Sequence, residues 1–305
     1  MASSERIMQK FNFDQTFLHN LTQIVLSLFL GIAGLTAPAS QAQSLTPSVP
    51  SQDVTSALPK RMALDADPSF DVATIRPNNS GAPMMQGINE KGRYFTTHNT
   101  SLGDLIQFAY DMQAKQIVGG SEWMDKDRYD INAVPNQEGI PNLKQVRIMV
   151  QKLLTDRFKL TFHPDKRELS AFVLTAGKNE PKLNPTQLHG AVPVNSLLPG
   201  VSGWTLAMRN ATTTDLTGYL QMIVLDRPVV DQTDIRGKFD FNITFTPDDS
   251  QFKGHPPPAP KQAENGNVAP GLFEAIQQQL GLKLETKKAL VNTIVIDHVE
   301  KPSEN

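Results

Sequence analysis

The residues able to do acid–base or metal chemistry are scattered through this sequence. It has six histidines, His19, His98, His163, His189, His255 and His298, and no cysteine. The missing thiol excludes disulfides, thiolate metal sites, cysteine nucleophiles and lipid attachment at a cysteine. No two histidines stand at i, i+3 or i, i+4, so no metal site is expected. The nearest thing to an acid–base pair is His163 with Glu168, facing each other across an expected hairpin. A solvated cross-strand contact is the simpler reading of the two. No Gly-x-Ser-x-Gly elbow, Walker loop or His-Glu-x-x-His motif occurs. Gly119-Gly120 reads as a turn rather than a phosphate cradle.

The remaining candidates have structural readings. Asp104 and Asp215 look like a paired set of carboxylates, but both suit helix caps. Asp130 and Asp240 alternate with apolar residues and should face solvent from strands. Asp156-Arg157 closes a helix with its cation at the C-terminal end, where the dipole favours it, and Asp231 sits at an element end. Trp123 and Trp204 could serve as binding platforms. Each has an apolar element beside it and is expected in the core. No catalytic, cofactor-binding or metal-binding residue is assigned, and no cofactor is expected.

The chain has 305 residues, 39% apolar and 20% charged, which suits a soluble globular protein with real cores. The net charge of −2 and the lack of a basic run argue against nucleic acid. Leu21 to Leu35 is an uncharged apolar run with the length of a signal-peptide h-region, short of a spanning helix. Ala37-Pro38-Ala39 and Ser40-Gln41-Ala42 follow, both of small-x-small type. Residues 1–42 are therefore read as a signal peptide cut after Ala42, with an uncleaved anchor as the alternative. Either way the body is expected outside the cytoplasmic membrane, in the periplasm or cell envelope. Residues 43–67, rich in Ser, Pro, Thr and Gln, read as a disordered tether.

What must position the candidates is a repeated unit. Asn99 and Asp104-Leu105 recur as Asn210 and Asp215-Leu216 at an offset of 111 residues (210 − 99; 215 − 104). Ile117-Val118 answers to Val229-Val230, and Arg128-Tyr129-Asp130-Ile131 to Lys238-Phe239-Asp240-Phe241. Phe158-Lys159-Leu160 answers to Leu282-Lys283-Leu284, and Ala171-Phe172-Val173-Leu174 to Thr293-Ile294-Val295-Ile296. The pattern implies an internal duplication of one α+β unit.

Within the units, Phe70 to Arg76 alternates as a strand ending at Pro77, and Asn78 to Pro83 is a loop. A second strand begins at 92–96. Ser101 and Asp104 form a capping box ahead of Leu102, Leu105, Ile106, Ala109 and Tyr110, one apolar helical face. Thr212 and Asp215 repeat it ahead of Leu216, Tyr219, Leu220, Ile223 and Val224. A second helix is expected over 142–157 and its counterpart over 271–280. Hairpins are expected over 159–175, turning at Pro164-Asp165-Lys166-Arg167, and over 283–297. Each unit then reads β-α-β-β-α-β-β, with mixed or antiparallel sheets and helices on one face. The first unit spans 68–180 and the second 204–305, joined by an aperiodic linker over 181–203. Residues 247–270 hold six prolines and read as an extended insertion.

Several of these stretches carry a family resemblance. Phe70-Asp71-Val72-Ala73-Thr74-Ile75-Arg76-Pro77-Asn78 resembles the opening signature of the "soil-associated" exported proteins, a family of unknown function expanded in soil bacteria. Gly119-Gly120-Ser121-Glu122-Trp123-Met124, Leu153 to Leu160, Arg227-Pro228-Val229-Val230-Asp231-Gln232-Thr233 and the stretch Val295 to Asn305 are similar in the same order. The resemblance covers about 70–305. It implies an envelope location and, in relatives, fusion of this domain to sensor peptidases of the antibiotic-receptor type. It implies no reaction. The half-unit pattern is also similar to small N-terminal domains of secretins and TonB-linked receptors, a likeness of fold that carries no function.

Two function classes follow. One is a non-catalytic envelope module that binds an envelope protein, a peptide or a wall fragment. The other is an envelope hydrolase whose site is assembled from dispersed residues. The lack of a nucleophile–base set favours the first. A membrane partner is expected only if the N-terminal segment stays uncleaved.

Overall fold

The computed structural model describes residues 60–82, 84–88, 94–190, 192–258 and 268–302, with backbone alone at 85–88. The expected signal peptide and residues 43–59 of the expected tether lie outside them. Pro59–Asn305 form one compact unit. The elements are β1 (Phe70–Pro77), β2 (Met85–Ile88), β3 (Phe95–Ser101), α1 (Leu102–Tyr110), β4 (Ile117–Val118), α2 (Trp123–Lys126), β5 (Arg128–Pro135), α3 (Leu143–Phe158) and β6 (Thr161–Ala176). There follow β7 (Asn184–Pro185), β8 (Val194–Pro199), β9 (Trp204–Ala211), α4 (Thr213–Tyr219), β10 (Val229–Gln232), β11 (Phe239–Phe245), α5 (Leu272–Ala275) and β12 (Leu282–His298). The fold is mixed α+β, mostly strand, in several sheets.

Local chemistry starts and stops the helices, and the caps of α1 and α4 are those expected. Ser101 with Asp104, Asn142 with Gln145, and Thr212 with Asp215 form complete capping boxes before α1, α3 and α4. Each box satisfies N–H groups that the first helical turn leaves without partners. α3 stops at Lys159, held left-handed at φ 52°, and α5 runs through a π-helical turn (Ile276–Leu280) to Gly281 at φ 67°. Glycine takes that conformation without the steric cost of a side chain, and lysine does not. The sequence match of Phe158-Lys159-Leu160 to Leu282-Lys283-Leu284 is thus two residues out of step with these helix ends. α4 also runs into a π-helical turn, Leu220–Val224.

Three four-stranded sheets carry the strands: β1-β5-β3-β2, β10-β6-β12-β4 and β7-β11-β9-β8. The first and third are antiparallel, and both run 1-4-3-2 in chain order. The middle sheet is mixed. β6 and β12 pair antiparallel from Thr161↔His298 to Ala176↔Leu282, with parallel β10 outside β6 and parallel β4 outside β12. Each short strand therefore pairs with the long strand from the other half of the chain.

Here the structure corrects the expected hairpins. Residues 159–175 and 283–297 do not fold back on themselves. Thr161–Ala176 and Leu282–His298 are each one continuous strand, because the other supplies a partner along its whole length. Pro164 is tolerated opposite Ile294 because β10 flanks β6 only at Phe172–Thr175, leaving an open side for the missing N–H. Two short elements also lay beyond the sequence reading, β2 and α2. The stretch 181–203 contributes β7 and β8.

The core crosses the halves as the sheet does. Leu102, Leu105, Ile106 and Ala109 of α1 pack with Val146, Met149, Val150, Leu153 and Leu154 of α3, Ile131 of β5, and Ile294 and Ile296 of β12. A polar seam adds to it. The Gln113 side-chain amide donates to the carbonyls of Gln221 and Leu225, and the Gln221 amide to the Asp111 carbonyl. Arg147 pairs with Asp111 at 2.8 Å.

Candidate functional site

An edge strand exposes a row of backbone donors and acceptors, so natural edges are shortened, charged or bulged. Most edges here follow that rule. β4 and β7 have two residues each, and β10 has four, with Asp231 among them. β1 carries Asp71 and Arg76 and a bulge near Phe70, and the Arg157 guanidinium donates to its Ala73 carbonyl at 2.9 Å. β8 differs. Its six residues, Val-Asn-Ser-Leu-Leu-Pro, contain no charge, and only the terminal Pro199 blunts it. All six pair with β9, from Val194↔Arg209 to Pro199↔Trp204. In an antiparallel pair alternate residues turn their N–H and C=O away from the partner strand. Ser196 and Leu197 are buried, while Leu198 is 38% exposed. Leu188, Val192 and Val201 are also exposed, Val201 by 80%.

Both ends of the β8–β9 hairpin are fastened. At the turn, the Gly200 N–H donates to the Gly203 carbonyl at 2.7 Å. A Cβ on Gly203 would lie 2.6 Å from the Phe245 carbonyl oxygen and 2.9 Å from the Ala269 methyl, so only glycine fits there. The Ala269 N–H donates to the Ser202 carbonyl at 2.8 Å. Trp204, 8% exposed, donates its indole N–H to the Pro258 carbonyl at 3.0 Å. Pro258 belongs to the expected proline-rich insertion.

At the far end Asn210 is left-handed, φ 54°, and makes a bulge in β9. Its N–H donates to Asp240 Oδ1 at 2.8 Å, and its side-chain amide donates to the Gly190 and Val192 carbonyls on the approach to β8. The first sheet has the same device. Asn99, φ 51°, donates its N–H to Asp130 Oδ1 at 2.9 Å and its side-chain amide to the Ala82 carbonyl. The Asn78 amide and His98 Nδ1 also reach Asp130, at 2.6 and 2.9 Å. Asp130 and Asp240, expected as simple solvent-facing residues, thus hold two bulges closed. Burial works against the Asp130 charge, but Asn78, the Asn99 amide and His98 outweigh it and hold the carboxyl below its ordinary range. The Asn210 amide does the same for Asp240, against slight burial, with Thr186 and Arg209 assisting.

The other candidates are dispersed. His163 does not meet Glu168, which lies opposite Leu290; it pairs with Asp297 at 2.7 Å on an exposed surface. Asp104 and Asp215 each close their own capping box, and Asp104 also pairs with Arg128 at 2.8 Å. Burial opposes the Asp231 charge too, and Thr213, Thr214 and Thr233 donate to it and lower its pKa. Half-buried Trp123 has the Lys301 ammonium 5.6 Å above its ring. His298 pairs with Glu300, His255 approaches the Lys253 carbonyl, His189 is exposed, and His19 lies outside the described residues.

Among the described residues no group of three His, Asp or Glu side chains converges as a metal site would require. Nor is any helix there long and apolar enough to cross a membrane. Two open cavities are shallow. One, of about 320 Å³, is lined by Ser202, Thr244, Val268, Ala269, Pro270 and Gln279. The other, of about 510 Å³, has Lys182 and Glu274 as its charged lining. Neither joins a nucleophile to a base.

Sequence reasoning missed β8 as a surface because its short run lies among prolines and lacks clean alternation. The readable signal was the absence of charge across 191–203. No curated protein and no solved structure matches the chain. The model of a family described as "Protein of unknown function (DUF3738)" matches residues 103–299, which include β8 and β9, and the chain belongs to that family.

Proposed function

We propose that this protein is an exported, non-catalytic module of the cell envelope that binds an extended polypeptide by adding it as a strand to β8. The observation that carries this is the uncharged, fully formed β8 edge, with exposed Leu198 on it and exposed Leu188, Val192 and Val201 flanking it. Strand addition takes its affinity from backbone hydrogen bonds and its specificity from alternate side-chain pockets, so it needs no catalytic motif. Export is inferred from the apolar run Leu21 to Leu35 followed by Ser40-Gln41-Ala42. N-terminal sequencing of protein recovered from the envelope tests it, and a cytoplasmic chain still starting at Met1 would refute it.

The module is read as two similar tandem units. Support comes from the shared 1-4-3-2 order of the outer sheets, the matching capping boxes and the two Asn–Asp bulges. The binding test uses a library of uncharged extended peptides. Leu198→Lys puts a charge on the edge without touching the core and should weaken binding at least tenfold with unchanged melting. Assays on peptide, ester and glycan substrates run beside it. Turnover abolished by one Asp, Glu or His substitution that leaves the fold intact would overturn the proposal.

A further inference from the structure

We propose that Trp204 is the anchor of a docking site for a proline-rich extended segment, a site that the chain fills with its own Pro256-Pro257-Pro258. The site lies at the turn end of the hairpin and stands whether or not β8 accepts a strand.

The chemistry of the two partners is complementary. An indole offers one donor, its N–H, and a broad apolar face. A run of prolines offers the converse, carbonyl acceptors with no N–H to compete and rings that pack flat. Pro256 and Pro257 each precede a proline, which biases them toward extended or polyproline II backbone. Such a segment loses little conformational entropy on docking, which is why aromatic-lined grooves recognise it. The structure joins these parts. The Trp204 indole N–H donates to the Pro258 carbonyl at 3.0 Å, Trp204 is buried, and Pro256 and Pro257 are half-buried. Trp123, the other tryptophan, meets a lysine instead.

The anchoring points of the excursion make this an occupied site rather than a chance contact. The segment leaves β11 after Phe245 and returns where the Ala269 N–H meets the Ser202 carbonyl and the Thr246 N–H meets the Pro270 carbonyl. It thus begins and ends at the hairpin on which Trp204 lies. A tether of this kind holds its ligand at an effective concentration of about a millimolar. A proline-rich segment of another protein must displace it, so the site is masked until the resident segment lets go.

The test reads Trp204 directly. Trp123→Phe leaves it as the sole tryptophan of the full chain. In that background Pro256→Gly, Pro257→Gly and Pro258→Gly are combined, which keeps the carbonyls but removes the preorganisation. Emission should shift to the red and acrylamide quenching should rise severalfold, with an unchanged far-ultraviolet circular dichroism spectrum. A synthetic His-Pro-Pro-Pro-Ala-Pro peptide should reverse both effects, and should bind the three-proline parent at least tenfold more weakly. A His-Ala-Ala-Ala-Ala-Ala peptide should do neither. Unchanged Trp204 emission in the glycine variant, or equal responses to the two peptides, would overturn the proposal. If Trp123→Phe fails to fold, fluorine resonances of the 5-fluorotryptophan-labelled native sequence report the same ring.

Discussion

The backbone N–H of Asn210 points at the Asp240 carboxylate, 2.8 Å away on the neighbouring strand. Asn99 and Asp130 repeat the relationship at 2.9 Å in the first sheet. A left-handed residue inside a strand leaves an N–H out of the ladder, and the carboxylate takes it up.

Acid should undo this device. Both carboxyls sit below their ordinary value of 3.8 in the folded protein. The unfolded chain therefore binds their protons more readily. The stability they contribute is fully present above about pH 4 and is lost as pH falls through the lower folded-state values. Asp130→Asn and Asp240→Asn should each destabilise most at neutral pH. The gap to the parent should narrow below about pH 4, as read by urea unfolding at pH 7 and pH 3. A gap that is constant with pH would refute the assignment.

Leu105 and Leu216 occupy the buried faces of α1 and α4. Truncation of either to alanine should cost about 2–5 kcal/mol. Asp104→Ala and Asp215→Ala remove one arm of a capping box and should cost less, about 0.5–2 kcal/mol. Equilibrium unfolding of the four variants checks the order.

Cross-pairing of the middle sheet makes the halves interdependent. A fragment of residues 60–180 has α1, α3 and β6 but lacks β12, which supplies Ile294 and Ile296 to its core and a partner to β4. It is expected to show no cooperative unfolding transition alone and to regain one on mixing with residues 181–305. A monomeric fragment that melts cooperatively would count against this.

His163 and Asp297 form an exposed pair, and such pairs contribute little. His163→Ala should change stability by less than about 1 kcal/mol, and Glu168→Ala should leave His163 ring resonances unmoved. A shift of those resonances would restore the pairing across a local turn.

The caps and apolar faces of α1, α3 and α4 were legible because each rests on neighbours within a few residues. The long strands were not. Pro164-Asp165-Lys166-Arg167 has the composition of a turn, and only the distant run 291–294 keeps it extended. Asp130 and Asp240 do alternate outward, as the pattern says, yet their role depends on a bulge one strand away. A clue was present, since each follows a matching asparagine by similar spacing (130 − 99; 240 − 210). Asparagine tolerates the left-handed backbone better than most residues.

The same long ribbon governs the order in which the molecule is completed during synthesis. β6 ends at Ala176 and its main partner begins only at Leu282. Until that partner emerges, β6 has only β10 to pair with, and only at Phe172–Thr175. Pairing over such a separation is slow, and an open strand in the interval invites aggregation. A nascent chain with this topology stays incompletely folded until its last strand is delivered. The final strand is then the step that locks the fold.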